Sequence, residues 1–253
     1  MLQIDLTNKV AVVTGASGEL GRVIARTLAD CGAAVAVHYF HGEERAQAVV
    51  NDIDGAGGRA IVVQADVTDQ ASVLAMRDSI GEQLGAADII VNNAVHQYDW
   101  TSVLEQDPAD YESQFRSCTL HNVLMAKAFV PAMIKKRWGR VIAINTECTM
   151  QSGPSMSAYI SGKGGQDRLL RVLAKEVGEH QITVNQVAPG WMISDKYREA
   201  PDDDAGYRAG VPLRRRGYDQ DIANTVAFVA SDLAEFISGA YIPVCGGNVM
   251  PTV

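Results

Sequence analysis

The stretch KVAVVTGASGELGRVIARTLADCG, residues 9–32, decides the fold. KVAVVT is a short apolar run rich in β-branched residues and predicts a buried parallel strand. A turn containing Gly15, Gly18 and Gly21 follows, and apolar residues then recur at helical spacing. Glycine lets a backbone approach a pyrophosphate, whose charge the free N–H groups at a helix start attract. A lone glycine cluster is more often only a turn, but these flanks predict a dinucleotide site.

Short apolar runs alternate with helical stretches along the rest of the chain. Strands separated by helices of this length imply right-handed crossovers and a parallel sheet covered on both faces. The sequence therefore predicts an α/β protein, with a Rossmann-like doubly wound parallel sheet of about seven strands flanked by helices on both faces. No linker or repeat divides residues 1–253, which predicts a single domain. The other predicted strands are AAVAVHY, AIVVQ, DIIV, RVIAIN, ITVNQV and YIPV, and the predicted helical regions include 70–83, 108–137, 157–178 and 219–231.

Special residues come directly after several of the predicted strands. Ligands on parallel sheets bind at the carboxyl ends of the strands. Packing alone gives no reason for such residues to gather at one edge, so they predict a ligand site there. They are the glycine turn, Asp66, Asn92, Asn93, Thr146, Pro189 and Gly190.

Tyr159 and Lys163 are four residues apart in a predicted helix, and Thr146 precedes them at the end of a strand. An i,i+4 pair lies on one helix face. An ammonium favours the ionised form of a nearby phenol, so Lys163 is expected to lower the pKa of Tyr159 from its usual value of about 10. Such a tyrosine can exchange a proton with an alcohol or carbonyl oxygen, which the Thr146 hydroxyl would orient. Taken alone, the same spacing also fits an ordinary Tyr–Lys contact on an exposed helix.

Composition excludes several classes of protein. The 253 residues are 47% hydrophobic and 21% charged, with a formal net charge of −8, which argues against nucleic acid or an anionic membrane as partner. The first residues predict no signal peptide, and no apolar run approaches the ~20 residues of a membrane span. The four cysteines are scattered without metal-ligand spacing. We therefore expect a cytoplasmic protein with reduced thiols and no metal site.

These motifs resemble, in order and spacing, those of the short-chain dehydrogenase/reductase family over about residues 9–247. Thr14 to Gly21 is similar to the family's cofactor turn, and Asn92-Asn93-Ala94 is similar to its NNAG element. The resemblance implies NAD(P)-dependent hydride transfer between nicotinamide and a carbonyl or secondary alcohol. It extends to members that reduce 3-oxoacyl thioesters on acyl carrier protein and to sugar and alcohol dehydrogenases.

The resemblance also implies a role for each matching residue. Tyr159 would be the acid/base. Lys163 would lower the pKa of Tyr159 and bind the nicotinamide ribose, and Thr146 would orient the substrate oxygen. The implied cofactor contacts are Gly15, Ser17, Gly18, Glu19, Leu20, Gly21, His38, Tyr39, Asp66, Val67, Asn93, Ala94, Tyr159, Lys163, Pro189, Gly190, Met192 and Ser194.

Three positions depart from the family pattern. Glu19 stands where the family usually has a glycine, and its carboxylate would repel a pyrophosphate. Val95 replaces the glycine of NNAG. Cys118 falls where an asparagine normally holds a water in the proton relay, and because a thiol is a poor hydrogen-bond partner we expect a slower or rerouted relay. These departures leave open an alternative function, a nucleotide-binding regulator or scaffold with little or no catalysis.

The end of the second strand bears on the choice of nicotinamide cofactor. An acid there accepts hydrogen bonds from a ribose 2′-hydroxyl and repels a 2′-phosphate. No acid occurs before Glu43, so the sequence favours NADP(H) over NAD(H). The strand-end residues are His38, Tyr39, Phe40 and His41, with Arg22 and Arg45 interpreted either as phosphate partners or as exposed helix charges.

Polar residues outnumber aromatic ones near the predicted site, which favours a small polar hydroxy or oxo compound as substrate. Residues 194–212 contain helix-like pieces and are predicted to form a substrate lid. The candidate substrate contacts are His96, Glu147, Cys148, Gln151, Trp191 and Tyr197.

Two stretches concern protein partners. The C-terminal stretch resembles the part of the family that builds tetramer contacts, so we expect a homo-oligomer, a tetramer or a dimer. The basic run KKRWGR at 135–140 could dock an acyl carrier protein. Cations are favourable at a helix C-terminus in any case, so docking is the less expected explanation.

Overall fold

The computed structural model describes residues 3–194 and 204–251, and its main feature is a parallel sheet. The strands are β1 (Val10–Val13), β2 (Ala34–Tyr39), β3 (Arg59–Gln64), β4 (Ile89–Asn92), β5 (Gly139–Ile144), β6 (Ile182–Pro189), β7 (Met192–Ile193), β8 (Gly217–Tyr218) and β9 (Tyr241–Val244). Seven of them pair in parallel in the order β3-β2-β1-β4-β5-β6-β9. The short strands β7 and β8, which the sequence did not predict, form a separate parallel pair.

Helices connect the strands and cover the sheet on both faces, so the predicted α/β fold class is confirmed. The predicted helix 70–83 has the bounds observed in the structure. Part of the predicted lid is helical, while residues 195–203, including Tyr197, lie outside the described residues. The helices are α1 (Glu19–Asp30), α2 (Glu43–Gly55), α3 (Gln70–Gln83), α4 (Pro108–Gln114), α5 (His121–Lys136), α6 (Cys148–Gln151), α7 (Ser157–Val177), α8 (Ala205–Gly210) and α9 (Asp219–Ala230).

Alternate residues of each central strand face two different hydrophobic cores. In β1, Ala11 and Val13 pack in the core that includes residues of α1, α2 and α9. Val10 and Val12 face the other core, which includes residues of α3, α5 and α7. Because successive side chains of a strand point to opposite faces, an apolar run such as VAVV stabilises both layers at once.

The strand order reverses next to β1, and this reversal creates the ligand crevice. Strand β1 pairs with β2 on one side and with β4 on the other. The chain runs outward from β1 through β2 to β3 before it returns to β4. The connections after β1 and β4 therefore diverge and leave an open crevice at the carboxyl ends of the strands.

The predicted helical region 108–137 is interrupted by a π-helical segment, Phe115–Leu120, between α4 and α5. Glycines of α7 let that helix approach the segment closely. A Cβ on Gly162 would lie 2.7 Å from the carbonyl oxygen of Gln114, and one on Gly165 would lie 2.7 Å from Thr119 Oγ1. Short π-helical segments commonly occur at functional sites. Here the segment brings Cys118 close to the helix that carries Tyr159.

We expect Gly162→Ala to lower the free energy of unfolding by about 1–3 kcal/mol, because the new methyl group meets backbone and not a flexible side chain. Gly164→Ala is the matched control in the same helix. A Cβ there has no neighbour within 4 Å, so this change should be neutral or stabilise by up to about 1 kcal/mol. Urea unfolding of both variants measures the difference, and equal values would contradict the close approach.

Candidate active site

The glycine turn forms one wall of the crevice. Gly15 has φ +65, and a Cβ on Gly21 would lie 2.3 Å from the carbonyl oxygen of Gly15. Neither position accepts a side chain without moving backbone. The turn therefore leads into the N-terminus of α1 with its backbone open to a ligand, as an anionic pyrophosphate requires.

Thr14 ties this turn to the end of β4. Its hydroxyl donates to the carbonyl oxygen of Val91 at 3.3 Å and accepts from the backbone N–H groups of Asn93, at 2.9 Å, and Ala94, at 3.1 Å. Asn93 Nδ2 also donates to the carbonyl oxygen of Thr14 at 2.9 Å. The two sides of the crevice are thus held at a fixed separation.

His38 fastens the turn to the neighbouring strands. Its Nδ1 accepts from the Gly15 N–H at 2.9 Å, so Nε2 carries the hydrogen and donates to the carbonyl oxygen of Ala65 at 3.0 Å. Burial lowers the pKa of His38 to about 4. The ring is therefore neutral near pH 7 and has both nitrogens engaged, which makes His38 a support for the turn and a poor phosphate ligand.

Glu19, the carboxylate expected to repel a pyrophosphate, has a cationic partner. Arg22 Nη2 lies 2.9 Å from Glu19 Oε2, one turn further along α1. The ion pair offsets part of the negative charge at the start of the helix. This departure from the glycine pattern is therefore compatible with an anionic ligand.

Thr146, Tyr159 and Lys163 line the same cleft, at the end of β5 and on α7. Lys163 is 2% exposed, and its ammonium donates to the Ile144 carbonyl oxygen at 2.6 Å and to Gln166 Oε1 at 3.2 Å. The bond to Ile144 joins α7 to the end of β5. It holds the two chain segments that carry the hydroxyls of Tyr159 and Thr146 against each other.

The structure corrects the predicted direction of the pKa shift at Tyr159. Burial raises the pKa of the phenol above its ordinary value, the Cys118 thiol adds to this, and a hydrogen bond with the Thr146 side chain opposes it. The Lys163 ammonium lies 5.9 Å from the centre of the Tyr159 ring and is itself desolvated, which lowers its own pKa. Because the raising effect of burial is the largest, Tyr159 is a protonated phenol at neutral pH.

Cys118 lies buried in the π-helical segment and has none of the contacts expected of a relay residue. Its thiol faces Gln114 Oε1 at 3.7 Å, and its carbonyl oxygen accepts from Asn122 Nδ2 at 2.6 Å. Lys163 uses Ile144 and Gln166 as acceptors. The slower or rerouted relay stays a prediction.

The cleft has a volume of about 650 Å³, and most of the predicted cofactor residues line it. Ser117 Oγ, which the sequence did not single out, lies in its wall, buried and without a hydrogen-bond partner in the described part of the chain. A cradle of glycines beside such a donor fits a polar dinucleotide. The predicted residues in the lining are Gly15, Ser17, Gly18, Glu19, Leu20, Gly21, His38, Asp66, Val67, Asn93, Ala94, His96, Thr146, Tyr159, Lys163, Pro189 and Gly190.

Other predicted residues lie outside the lining. Tyr39 follows His38 in the strand and so points the opposite way, into the core beside α1 and α2. Phe40 and His41 line the cleft instead. The predicted residues absent from the lining are Tyr39, Met192 and Ser194 among the cofactor contacts and Glu147, Cys148, Gln151 and Trp191 among the substrate contacts.

Glu147 has hydrogen-bond partners that the sequence did not predict. It is 3% exposed, and its carboxylate accepts from Tyr207 Oη at 2.8 Å and from Asn248 Nδ2 at 3.0 Å. Tyr207 Oη accepts in turn from the Trp191 N–H at 2.8 Å. Both carboxylate oxygens are thus engaged in fixing α8 and the C-terminal segment beside Thr146.

Two aromatic residues beside Tyr159 were also missed. The Tyr98 hydroxyl accepts from the Tyr159 N–H at 2.8 Å, and the Trp100 ring stacks on the Tyr159 ring with centres 5.8 Å apart. Both come from the loop after β4, whose path has no periodic signal in the sequence. The aromatic residues themselves, five and seven positions after Asn93, were the available signal.

Within 3–194 and 204–251, no group of three or more His, Cys, Asp or Glu side chains could hold a metal ion. None of the helices in these ranges has the length and apolar character needed to cross a membrane.

Comparison with known proteins agrees with this geometry. A family model described as enoyl-(acyl carrier protein) reductase matches residues 15–248. The 3-oxoacyl-[acyl-carrier-protein] reductase FabG of Escherichia coli (strain K12) is 38% identical, over 98% of this chain and 100% of that protein. The chain belongs to the short-chain dehydrogenase/reductase family.

Two solved structures of this kind are similar along nearly the whole chain. The promiscuous reductase LugOII, which catalyses keto-reduction at C1 during lugdunomycin biosynthesis, has a TM-score of 0.89 at 31% identity, over 97% of this chain and 99% of its own. 7α-Hydroxysteroid dehydrogenase complexed with NADH and 7-oxo glycochenodeoxycholic acid has a TM-score of 0.90 at 30% identity, over 98% and 97%. As a short-chain dehydrogenase/reductase, the protein is an oxidoreductase, and the cofactor of this family is a nicotinamide dinucleotide.

We expect the stability of this short-chain dehydrogenase/reductase to fall as the pH drops from about 6.5 to about 4. The pKa of His38 is about 4 in the folded protein, so the unfolded chain binds a proton there at higher pH than the folded chain does. The contribution of His38 to this loss should reach the order of 3 kcal/mol near pH 4, and none of it should occur above about pH 7. Urea unfolding at a series of pH values measures it.

His38→Asn should show a shallower loss of stability with acid, whereas a variant at the exposed His41, His41→Asn, should keep the slope of the unaltered protein. An unchanged slope in His38→Asn would contradict the neutral, doubly hydrogen-bonded histidine.

Proposed function

We propose that this protein is a carbonyl reductase in which Tyr159 donates a proton to the substrate oxygen. The observation that carries the proposal is the protonated phenol of Tyr159 on α7, hydrogen-bonded within the dinucleotide cleft to the side chain of Thr146, which follows β5. A bound nicotinamide supplies the hydride that the carbonyl carbon receives. The oxygen takes the phenolic proton, so a C=O group becomes CH–OH. The reverse reaction, oxidation of a secondary alcohol, uses Tyr159 as the base.

Thr146 and Lys163 take positioning roles in this proposal. The Thr146 hydroxyl accepts from the Cys148 N–H at 3.2 Å, which fixes its direction and leaves its own hydrogen for a substrate oxygen or the phenol. An ammonium has three donors, and Lys163 uses two on Ile144 and Gln166. The third is available for a ribose hydroxyl of the cofactor.

For the cofactor we propose NADP(H) in preference to NAD(H). The end of β2 presents Phe40 and His41 to the cleft and no carboxylate. The next residue, Gly42, is in the left-handed region at φ +84, and a Cβ there would lie 2.7 Å from Arg45 Nη2. The guanidinium of Arg45 therefore folds back toward the strand end, where a ribose 2′-phosphate would be recognised.

We propose a free small molecule as substrate, with an acyl carrier protein as the less favoured partner, and a homo-oligomeric assembly. The name of the Escherichia coli relative makes a carrier-bound thioester a reasonable alternative. However, the basic run 135–140 leads into β5 and includes its first two residues. It therefore lies at the edge of the sheet opposite the cleft. Two of its charges are paired, Lys136 with Asp88 at 2.6 Å and Arg140 with Asp232 at 2.9 Å.

Tyr159→Phe should abolish ketone reduction, with turnover lowered at least about a hundredfold, because the phenyl ring keeps the packing and removes the transferred proton. Binding of the reduced cofactor, followed by fluorescence titration, should change less than about threefold. This second measurement separates loss of the acid from loss of the fold. Full activity in Tyr159→Phe would refute the proposed role, and cofactor binding without turnover of any ketone by the unaltered protein would favour a regulator or scaffold.

Titration with NADPH and NADH should give tighter binding of NADPH, by about tenfold or more. Arg45→Ala should weaken binding of NADPH and leave that of NADH unchanged, since only NADPH carries the 2′-phosphate. Arg77→Ala, on the exposed surface of α3, is the control and should alter neither. Equal affinities for the two cofactors, or an equal effect of Arg45→Ala on both, would refute the preference.

A further inference from the structure

The loop after β4 holds Tyr159 by both its backbone and its ring. Helix α7 begins without a side-chain N-cap, since Met156 provides none. The N–H of its third residue, Tyr159, donates instead to the Tyr98 hydroxyl at 2.8 Å. Trp100 lies on the Tyr159 ring at an interplanar angle of 24°. Tyr98 and Trp100 are themselves in contact, with ring centres 6.4 Å apart. We call Tyr98 and Trp100 the aromatic clamp.

The aromatic clamp also presents an apolar surface beside the ring of Tyr159. Trp100 remains 48% exposed although one part of its ring covers Tyr159. The same loop continues with Val103 and Leu104, which are 64% and 96% exposed. Large exposed apolar side chains gathered in one loop commonly mark a binding surface.

Two of the polar residues predicted to contact the substrate, Glu147 and Gln151, do not line the cleft, whereas His96 does. Glu147 is buried and bonded to Tyr207 and Asn248. Gln151 is exposed on α6 and lies outside the cleft. A polar substrate group placed against Trp100 would gain no hydrogen bond from either Glu147 or Gln151. The side chain that stacks on the Tyr159 ring is therefore aromatic and apolar.

We propose that Trp100 determines substrate specificity by stacking on an aromatic ring attached to the reacting carbonyl group. This inference rests on the proposed function, because it concerns the substrate of the Tyr159 reaction. Aryl ketones and the corresponding benzylic alcohols are the class that fits, since their ring and carbonyl group are coplanar and adjacent. The indole lies against the Tyr159 ring and is about half exposed, so a substrate ring stacked on the part of the indole that Tyr159 leaves uncovered would lie next to Tyr159. Offset stacking of this kind gives a preference of about threefold to tenfold.

The test compares aryl methyl ketones with straight-chain methyl ketones of equal carbon number, with kcat and KM measured separately. The readout is the ratio of kcat/KM for the aryl ketone to that for the straight-chain ketone. Trp100→Ala and Trp100→Leu should both lower the ratio by about threefold to tenfold, mainly through KM. Trp100→Phe keeps an aromatic face and should hold the ratio within about twofold of the unaltered protein.

Tyr98→Phe is the matched control within the aromatic clamp. It removes the acceptor of the Tyr159 N–H and leaves the indole, so kcat should fall for both ketones alike while the ratio stays unchanged. A ratio that stays unchanged in Trp100→Ala and Trp100→Leu would overturn the inference and leave the proposed function intact. Absence of turnover with both classes of ketone in the unaltered protein would overturn the proposed function and the inference with it.

Discussion

The bond between the Lys163 ammonium and the Ile144 carbonyl oxygen is the constraint on which the site depends. It joins helix α7 to the last residue of β5, and both groups are buried. A buried ammonium that loses its acceptors leaves an uncompensated charge, typically at a cost of about 3–5 kcal/mol, so this contact strongly resists separation of helix and strand. Thr146 follows β5 by two residues, and Tyr159 precedes Lys163 by one helical turn. The same bond therefore fixes the positions of the Thr146 and Tyr159 hydroxyl groups relative to each other.

Local patterns in the sequence were sufficient for the fold and for the position of the site. Alternate residues of the run VAVV pack in two different cores. A strand that is buried on both faces needs apolar residues at every position, so its sequence is a continuous apolar run. Parallel pairing then brings every strand end to one edge, so the turn at Gly15, Asn93 and Thr146 meet in one cleft without any knowledge of side-chain contacts. Helices 70–83 and 157–178 followed from spacing alone, the second to within one residue.

Properties that depend on desolvation or on distant partners could not be predicted in the same way. The spacing of Tyr159 and Lys163 suggested a lowered phenol pKa, but the sequence does not show how far water is excluded from each group. The position of Glu147 directly after Thr146 makes it a candidate substrate contact, yet its partners Tyr207 and Asn248 are 60 and 101 residues away along the chain. Contacts between residues so far apart along the chain leave no local pattern in the sequence.

Cys118 shows how the structure accommodates a residue that departs from the family pattern. Asparagine at this position would offer a side-chain amide, whereas the thiol makes only a weak contact with Gln114. The π-helical segment persists nevertheless, because Gly162 allows α7 to lie against it and Asn122 takes the Cys118 carbonyl oxygen. The shape of the site therefore depends on small residues and backbone acceptors, and the substitution alters the hydrogen bonds available to a proton relay while the positions of Tyr159 and Lys163 are kept.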